Sequence, residues 1–316
     1  MDVVKFCKQT TVVIVAGKGG VGKTTVSAVL ATMAARVGVS TLLVELDGKA
    51  ALPALFGLDG PFGYETIELV GGNLRARRLT PDDALLDYLA DHSLGRISKR
   101  LVNSGALDVV STAVPGLRDI LVLGKIKQLE READAELIIV DAPATGHAIS
   151  ALTTPQGLVD AVTVGPIRVQ AQDVIGLLSD KQRCSVVLVT LAEETPVNES
   201  VQAAYEMEDK VGVNLGPIVV NGIYPPIDGL GNMTDDDLGD QVRGIADPAT
   251  RDMIIRAARF REGRQELQRE QLDRLSRALP LPQLQIPHLF STQLSYPDIE
   301  GLADVLAEQV AGLPDS

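Results

Sequence analysis

The run Gly17-Lys18-Gly19-Gly20-Val21-Gly22-Lys23-Thr24 combines residue types that can hold phosphate. It matches G-x-x-x-x-G-K-S/T and sits where that pattern has meaning, after a β-branched run and before a helical one. Glycines let backbone N–H groups curl around phosphate oxygens without Cβ clashes. The start of the following helix adds partial positive charge. Lys23 is expected to reach the β- and γ-phosphates, and the Thr24 hydroxyl to complete a Mg²⁺ shell. Thr25, in the first helical turn, joins the expected binding set. Two carboxylates extend the pattern. Leu137-Ile138-Ile139-Val140-Asp141 is an apolar run ending in Asp, which suits Asp141 to hold Mg²⁺ through water. Asp47 follows another apolar run, where it either orients or deprotonates an attacking water or simply caps a turn. His147, in Ala142-Pro143-Ala144-Thr145-Gly146-His147, is either a sensor of the γ-phosphate or a packed histidine.

These residues need a scaffold that ends several strands on one side. Thr11–Ala16, Thr41–Leu46, Leu137–Val140, Ser185–Thr190 and Ile218–Asn221 are short, β-branched and apolar, as strands buried on both faces are. Helical patterns separate them, beginning with Thr24–Val37. The expected fold is α/β: a mostly parallel central sheet flanked by helices, joined by right-handed crossovers. Residues 80–134 hold successive helical segments, including Asp82–Ala90 and Leu117–Ala133, and read as a helical insertion. Residues 247–278 read as one long Arg/Glu-rich helix with Glu270–Arg274 and Asp273–Arg277 pairs and an apolar stripe of Leu267, Leu272, Leu275 and Leu279. Asp228–Asp240 reads as a loop without a calcium-binding pattern. Residues 1–316 are expected to form a single domain.

Lys18 narrows the reading. A lysine directly after the first glycine gives the deviant loop G-K-G-G-x-G-K-S/T, which resembles dimeric ATPases such as MinD, ParA, the nitrogenase iron protein and the ArsA family. Asp141-Ala142-Pro143-Ala144-Thr145-Gly146-His147 looks like the ArsA-family segment D-T-A-P-T-G-H. Asp47, Leu52, Phe56 and Gly57 match that family's segment D-P-A-H-N-L-S-D-A-F-G. Val220-Asn221 resembles its adenine-contacting Asn, and Ile286-Pro287-His288-Leu289 its loop over the base. The resemblance implies a Mg²⁺-dependent ATPase, a P-loop protein working as a dimer. In it Lys18 reaches the nucleotide of the facing subunit, Asp47 serves the catalytic water, and Asn221 and Pro287 contact the base. Segments such as Pro115-Gly116-Leu117-Arg118-Asp119 look closest to actinobacterial ArsA-like ATPases, which often occur as paralogous pairs. The implied partner is thus a second copy or a paralogue, with a protein or small-molecule client left open. Gly48-Lys49 in place of the family's Pro-Ala keeps a second option in view, a non-hydrolysing ATP-binding half of a heterodimer. A membrane-protein targeting factor is the third.

Composition trims these options. The formal net charge is −13, which argues against a nucleic-acid surface and against a ParA-like role. Around Asp298–Ala311 the last helical stretch carries Asp298, Glu300, Asp304 and Glu308 without Lys or Arg, unlike a MinD-like membrane helix. No run reaches the ~20 apolar residues of a membrane span. The apolar run Val12–Ala16 is too short for a signal sequence. A cytoplasmic protein without direct membrane insertion is expected. Cys7 and Cys184, the two cysteines, lack partners at ligand spacing, so neither a thiolate arsenite site nor a C-x-x-C zinc pair is expected. Residues 80–134 contain no Met, unlike a Met-rich client groove. Leu85, Leu86, Leu89, Leu121, Leu123 and Leu129 there either line a groove or form the core of the insertion.

Overall fold

Among the described residues eight strands form one sheet in the order Ile67–Glu68, Leu74–Arg78, Thr41–Glu45, Leu137–Asp141, Val12–Gly17, Cys184–Leu191, Leu215–Ile223, Gln283–Pro287, and only the first of these runs antiparallel to its neighbour. The structure is a computed structural model that describes residues 1–46, 51–69, 71–91, 116–143 and 145–314. In chain order, α1 (Val3–Cys7) precedes β1 (Val12–Gly17), α2 (Lys23–Arg36), β2 (Thr41–Glu45), α3 (Ala51–Leu55), β3 (Ile67–Glu68) and β4 (Leu74–Arg78). Then come α4 (Pro81–Asp91), α5 (Leu117–Glu132), β5 (Leu137–Asp141), α6 (Thr145–Ala161) and α7 (Pro166–Ser179). The chain continues with β6 (Cys184–Leu191), α8 (Glu194–Val211), β7 (Leu215–Ile223), α9 (Asp235–Gln241), α10 (Pro248–Ala278), β8 (Gln283–Pro287) and α11 (Tyr296–Ala311).

The sheet divides the core in two, because successive strand side chains point to opposite faces. Ile14, Ile138, Val140, Val186 and Leu188 face one core, closed by α5, α6, α7 and α8. Val15, Leu137, Ile139, Val187 and Val189 face the other, closed by α2 and α11. Helices on both faces explain why β1, β2, β5 and β6 are apolar without alternation. The order places β1 between β5 and β6, so the loop after β1 lies beside the end of β5.

Three details depart from expectation. Asp228–Asp240 is not all loop. Thr234 caps α9 in a reciprocal capping box with Asp237, and the acidic first turn of Asp235, Asp236 and Asp237 suits the positive helix start. Leu267 on α10 is exposed, whereas Leu275 is fully buried. The inward position one residue on from Leu267 belongs to Gln268, whose amide accepts from Tyr224 N (2.8 Å) and donates to the Gly222 carbonyl (2.9 Å). Arg274 donates to Gln271 Oε1 (3.1 Å) rather than pairing with Glu270, while Arg277 does pair with Asp273. Leu85, Leu121, Leu123 and Leu129 are buried in the core, whereas Leu86 and Leu89 are half-buried. No helix among the described residues is long and apolar enough to cross a membrane.

Candidate functional site

Gly17 ends β1 against the backbone of β6. A Cβ there would lie 2.4 Å from the Val189 carbonyl oxygen, and a strand carbonyl cannot step aside. Glycine is therefore required at the first position of the loop by close backbone approach. At the last position the reason differs. Gly22 has φ +90° and stands as the N-cap of α2. Having no side chain, it leaves the first N–H groups of α2 without a side-chain cap. An uncapped helix start, preceded by a glycine-rich turn, is a place for an anion.

Several side chains hold this loop. Lys23 reaches back along it, its ammonium donating to the Lys18 carbonyl (3.1 Å). The Asn221 amide on β7 donates to the Val21 carbonyl (2.9 Å), bracing the loop from the far side of β6. Lys18 turns outward, with its Nζ 3.0 Å from Glu199 Oε1 on α8. Both ends of that pair are partly solvent-exposed, so its strength is limited by screening.

Asp141, at the end of β5, is almost fully buried. Its two carboxylate oxygens accept from the Thr24 hydroxyl (2.9 Å) and the Ser27 hydroxyl (3.0 Å), both on α2. One helical turn separates Thr24 from Ser27, which puts both on the same face. The Thr24 hydrogen is thus committed to Asp141, leaving the oxygen lone pairs free in direction to meet a hard cation. Oxygen donors of this kind fit Mg²⁺. Glu45 is buried as the register neighbour of Asp141, and Arg78 is the next neighbour in the same row. Equal register in parallel strands points all three to the α2 side. Asp47 and Lys49 lie outside the described residues, and His147 falls in the first turn of α6.

The rim beyond Asn221 is aromatic. His288 N donates to the Ile223 carbonyl (2.7 Å), which joins the chain just after β8 to the end of β7. Pro287 ends β8 beside Ile223. The His288 and Tyr224 rings stack with centroids 5.0 Å apart and planes 7° apart, and Phe290 meets both edge-on. Arg261 of α10 lies over Phe290 and Tyr224. Arg264 also lies over Tyr224 while paired to Glu193 (2.8 Å).

Sequence reasoning overlooked Ser27, Glu199, Tyr224 and Phe290 in this neighbourhood. Ser27 had a signal, its i+3 spacing from Thr24. The others come from elements far away in sequence, and no local pattern marks them. The two cysteines are apart and buried, and burial pushes each thiol up to about 12, with Asp2 adding to the shift at Cys7. Among the described residues no cluster of His, Cys, Asp or Glu is arranged to hold a metal by itself.

Residues 10–165, which contain the loop, Thr24, Ser27 and Asp141, match the profile of the anion-transporting ATPases. ATPase BagA of Mycobacterium tuberculosis is 34% identical over 223 residues, 67% of this chain and 65% of BagA. An ATPase of Halobacterium salinarum named as arsenical pump-driving is 26% identical over 89% of this chain and 42% of its own length. ATPase GET3 of Malassezia globosa is 26% identical over 66% of this chain and 72% of its own. The chain therefore spans slightly less than two thirds of BagA. The deviant loop, the buried Asp141 at the neighbouring strand end and these matches have one common explanation: the chain belongs to the ArsA family of ATPases.

Proposed function

We infer that the chain binds ATP with Mg²⁺, hydrolyses it as a dimer, and uses the nucleotide state to handle a client. The observation that carries this reading is the pair of hydroxyl bonds that hold Asp141 beside the uncapped start of α2. Phosphates bind at the N–H groups of Gly17–Thr25, and Lys23 swings from the Lys18 carbonyl onto the β/γ-phosphates. Mg²⁺, when bound between Thr24 and a water on Asp141, supplies charge neutralisation for the phosphates. Asn221 and Pro287 border the base. Asp47 positions the attacking water for in-line displacement. Lys18 leaves Glu199 and reaches the nucleotide of the facing subunit, where it stabilises charge spreading over the γ-phosphoryl. Phosphoryl transfer is chiefly positioning and electrostatics, so each of these groups acts without covalent chemistry.

Steady-state ATP turnover of Lys23→Ala, Lys18→Ala and Asp47→Asn tests the assignment. Each is expected to lose at least about a hundredfold, the scale of removing a preorganised charge-stabilising or water-positioning group. Wild-type turnover in Asp47→Asn removes that residue from the chemistry. Turnover of the purified chain alone, compared with a mixture containing a paralogue, separates a homodimer from an active heterodimer. Activity of the chain alone rejects the non-hydrolysing partner.

A further inference from the structure

A cavity of about 450 Å³ lies at the opposite edge of the sheet from the phosphate loop, at the N-terminal ends of the parallel strands. Its size is within the ~300–1,000 Å³ of small-molecule sites. Leu137 and Ile139 of β5, Leu30 and Met33 of α2, and Phe6 of α1 supply apolar walls. Small residues keep it open on the other side. Gly216 and Pro217 begin β7 where its pairing with β6 slips between Val186 and Leu188. Such an irregularity bends a strand and leaves room beside it. Pro217 also brings no N–H to the ladder.

Thr10, Lys181 and Ser185 line this cavity together with the amides of Gln9 and Asn214. The Thr10 and Ser185 hydroxyls are 3.2 Å apart and both buried. Two hydroxyls carry two hydrogens, and one of these lies between the oxygens. The second has no acceptor among the described residues and is left for whatever fills the space. Lys181, four residues before Ser185, lines the same cavity and forms no ion pair among the described residues. A largely apolar chamber with one spare O–H and one ammonium in its lining suits an apolar body with a single anionic acceptor head.

We propose that this cavity binds a fatty-acid carboxylate, with the head on Lys181 and the Thr10–Ser185 pair and the acyl chain along Leu30, Met33 and Ile139. It is remote from the nucleotide residues and uses none of them.

The test is calorimetric titration of the full-length protein with dodecanoate and, in parallel, dodecanol. Dodecanoate is expected to bind saturably at one site. Lys181→Glu places a like charge at the head and is expected to weaken dodecanoate at least about tenfold while leaving dodecanol unchanged. Val13→Phe fills the chamber from β1 and is expected to abolish binding of both. ATP affinity equal to wild type in each variant shows that the fold is intact, and Lys181→Glu, on an exposed turn, tests the head even if Val13→Phe does not fold. Absence of saturable dodecanoate binding to the wild type overturns the proposal. So does dodecanoate affinity that is indifferent to Lys181→Glu.

Discussion

Gly22→Ala isolates how the loop is held. Two separate costs meet at this position. An L-residue with left-handed backbone costs roughly 1–2 kcal/mol, and φ at Gly22 is +90°. The added Cβ would stand 2.1 Å from Asn221 Nδ2, so the amide must leave. Its bond to the Val21 carbonyl is then lost, worth about 0.5–1.5 kcal/mol. Gly22→Ala should therefore destabilise by about 1.5–3.5 kcal/mol. Asn221→Ala alone should cost about 0.5–1.5 kcal/mol. In the double variant the amide is already gone, and only the backbone cost is added. The double variant should thus be less destabilised than the sum of the singles by about 0.5–1.5 kcal/mol. Urea unfolding midpoints of the four proteins, at equal slope, give the cycle. Additivity within about 0.3 kcal/mol would refute the view that Asn221 braces the loop against Gly22.

Other outcomes follow from features already described. Glu199→Gln should free Lys18 from a pair worth at most about 1 kcal/mol, raising ATP turnover by up to about fivefold; a fall in turnover shows that Glu199 does not compete for Lys18. Cys7 and Cys184, with thiols at about 12, should resist iodoacetamide at pH 8 in the native protein and react in urea; rapid native alkylation contradicts their burial. Burial alone would raise the Asp87 carboxyl, but hydrogen bonds from Lys125 and Tyr64 outweigh it and hold it below the usual value. A lowered carboxylate stabilises the fold above its unfolded value of about 3.9 and stops doing so as pH falls through its folded value. Lys125→Met should therefore cost about 1 kcal/mol at pH 7, with the deficit shrinking below about pH 4, as read by urea midpoints across pH.

Much of the nucleotide side was legible because its signals are local. Five buried strands announced themselves as β-branched apolar runs, and the loop between β1 and α2 was readable from spacing alone. Strand β4 was not, because Leu-Arg-Ala-Arg-Arg looks solvated; Arg77 is nevertheless buried, with its guanidinium over the Tyr64 ring. Strand β8 alternates Gln and apolar residues at the sheet's edge, which reads as a loop when its neighbour is unknown. The partners of the site were hidden for a related reason. Glu199 meets Lys18, and Asn221 meets Val21, only after crossovers that no window of sequence contains.

Strand β1 comes early in the chain, yet Val12 pairs with Ile138 on one side and Cys184 on the other. During synthesis both neighbours emerge long after it. An apolar strand with two open edges must wait, and non-local parallel pairing is slow to form. The phosphate loop, whose shape depends on Val189 behind Gly17 and on Asn221 beside Gly22, is completed later still. The loop can therefore take this shape only in a chain that has been made at least through β7. A chain that stops short of β7 has neither the Asn221 brace on Val21 nor the strand that carries it, so the loop's shape is set by residues some two hundred positions downstream.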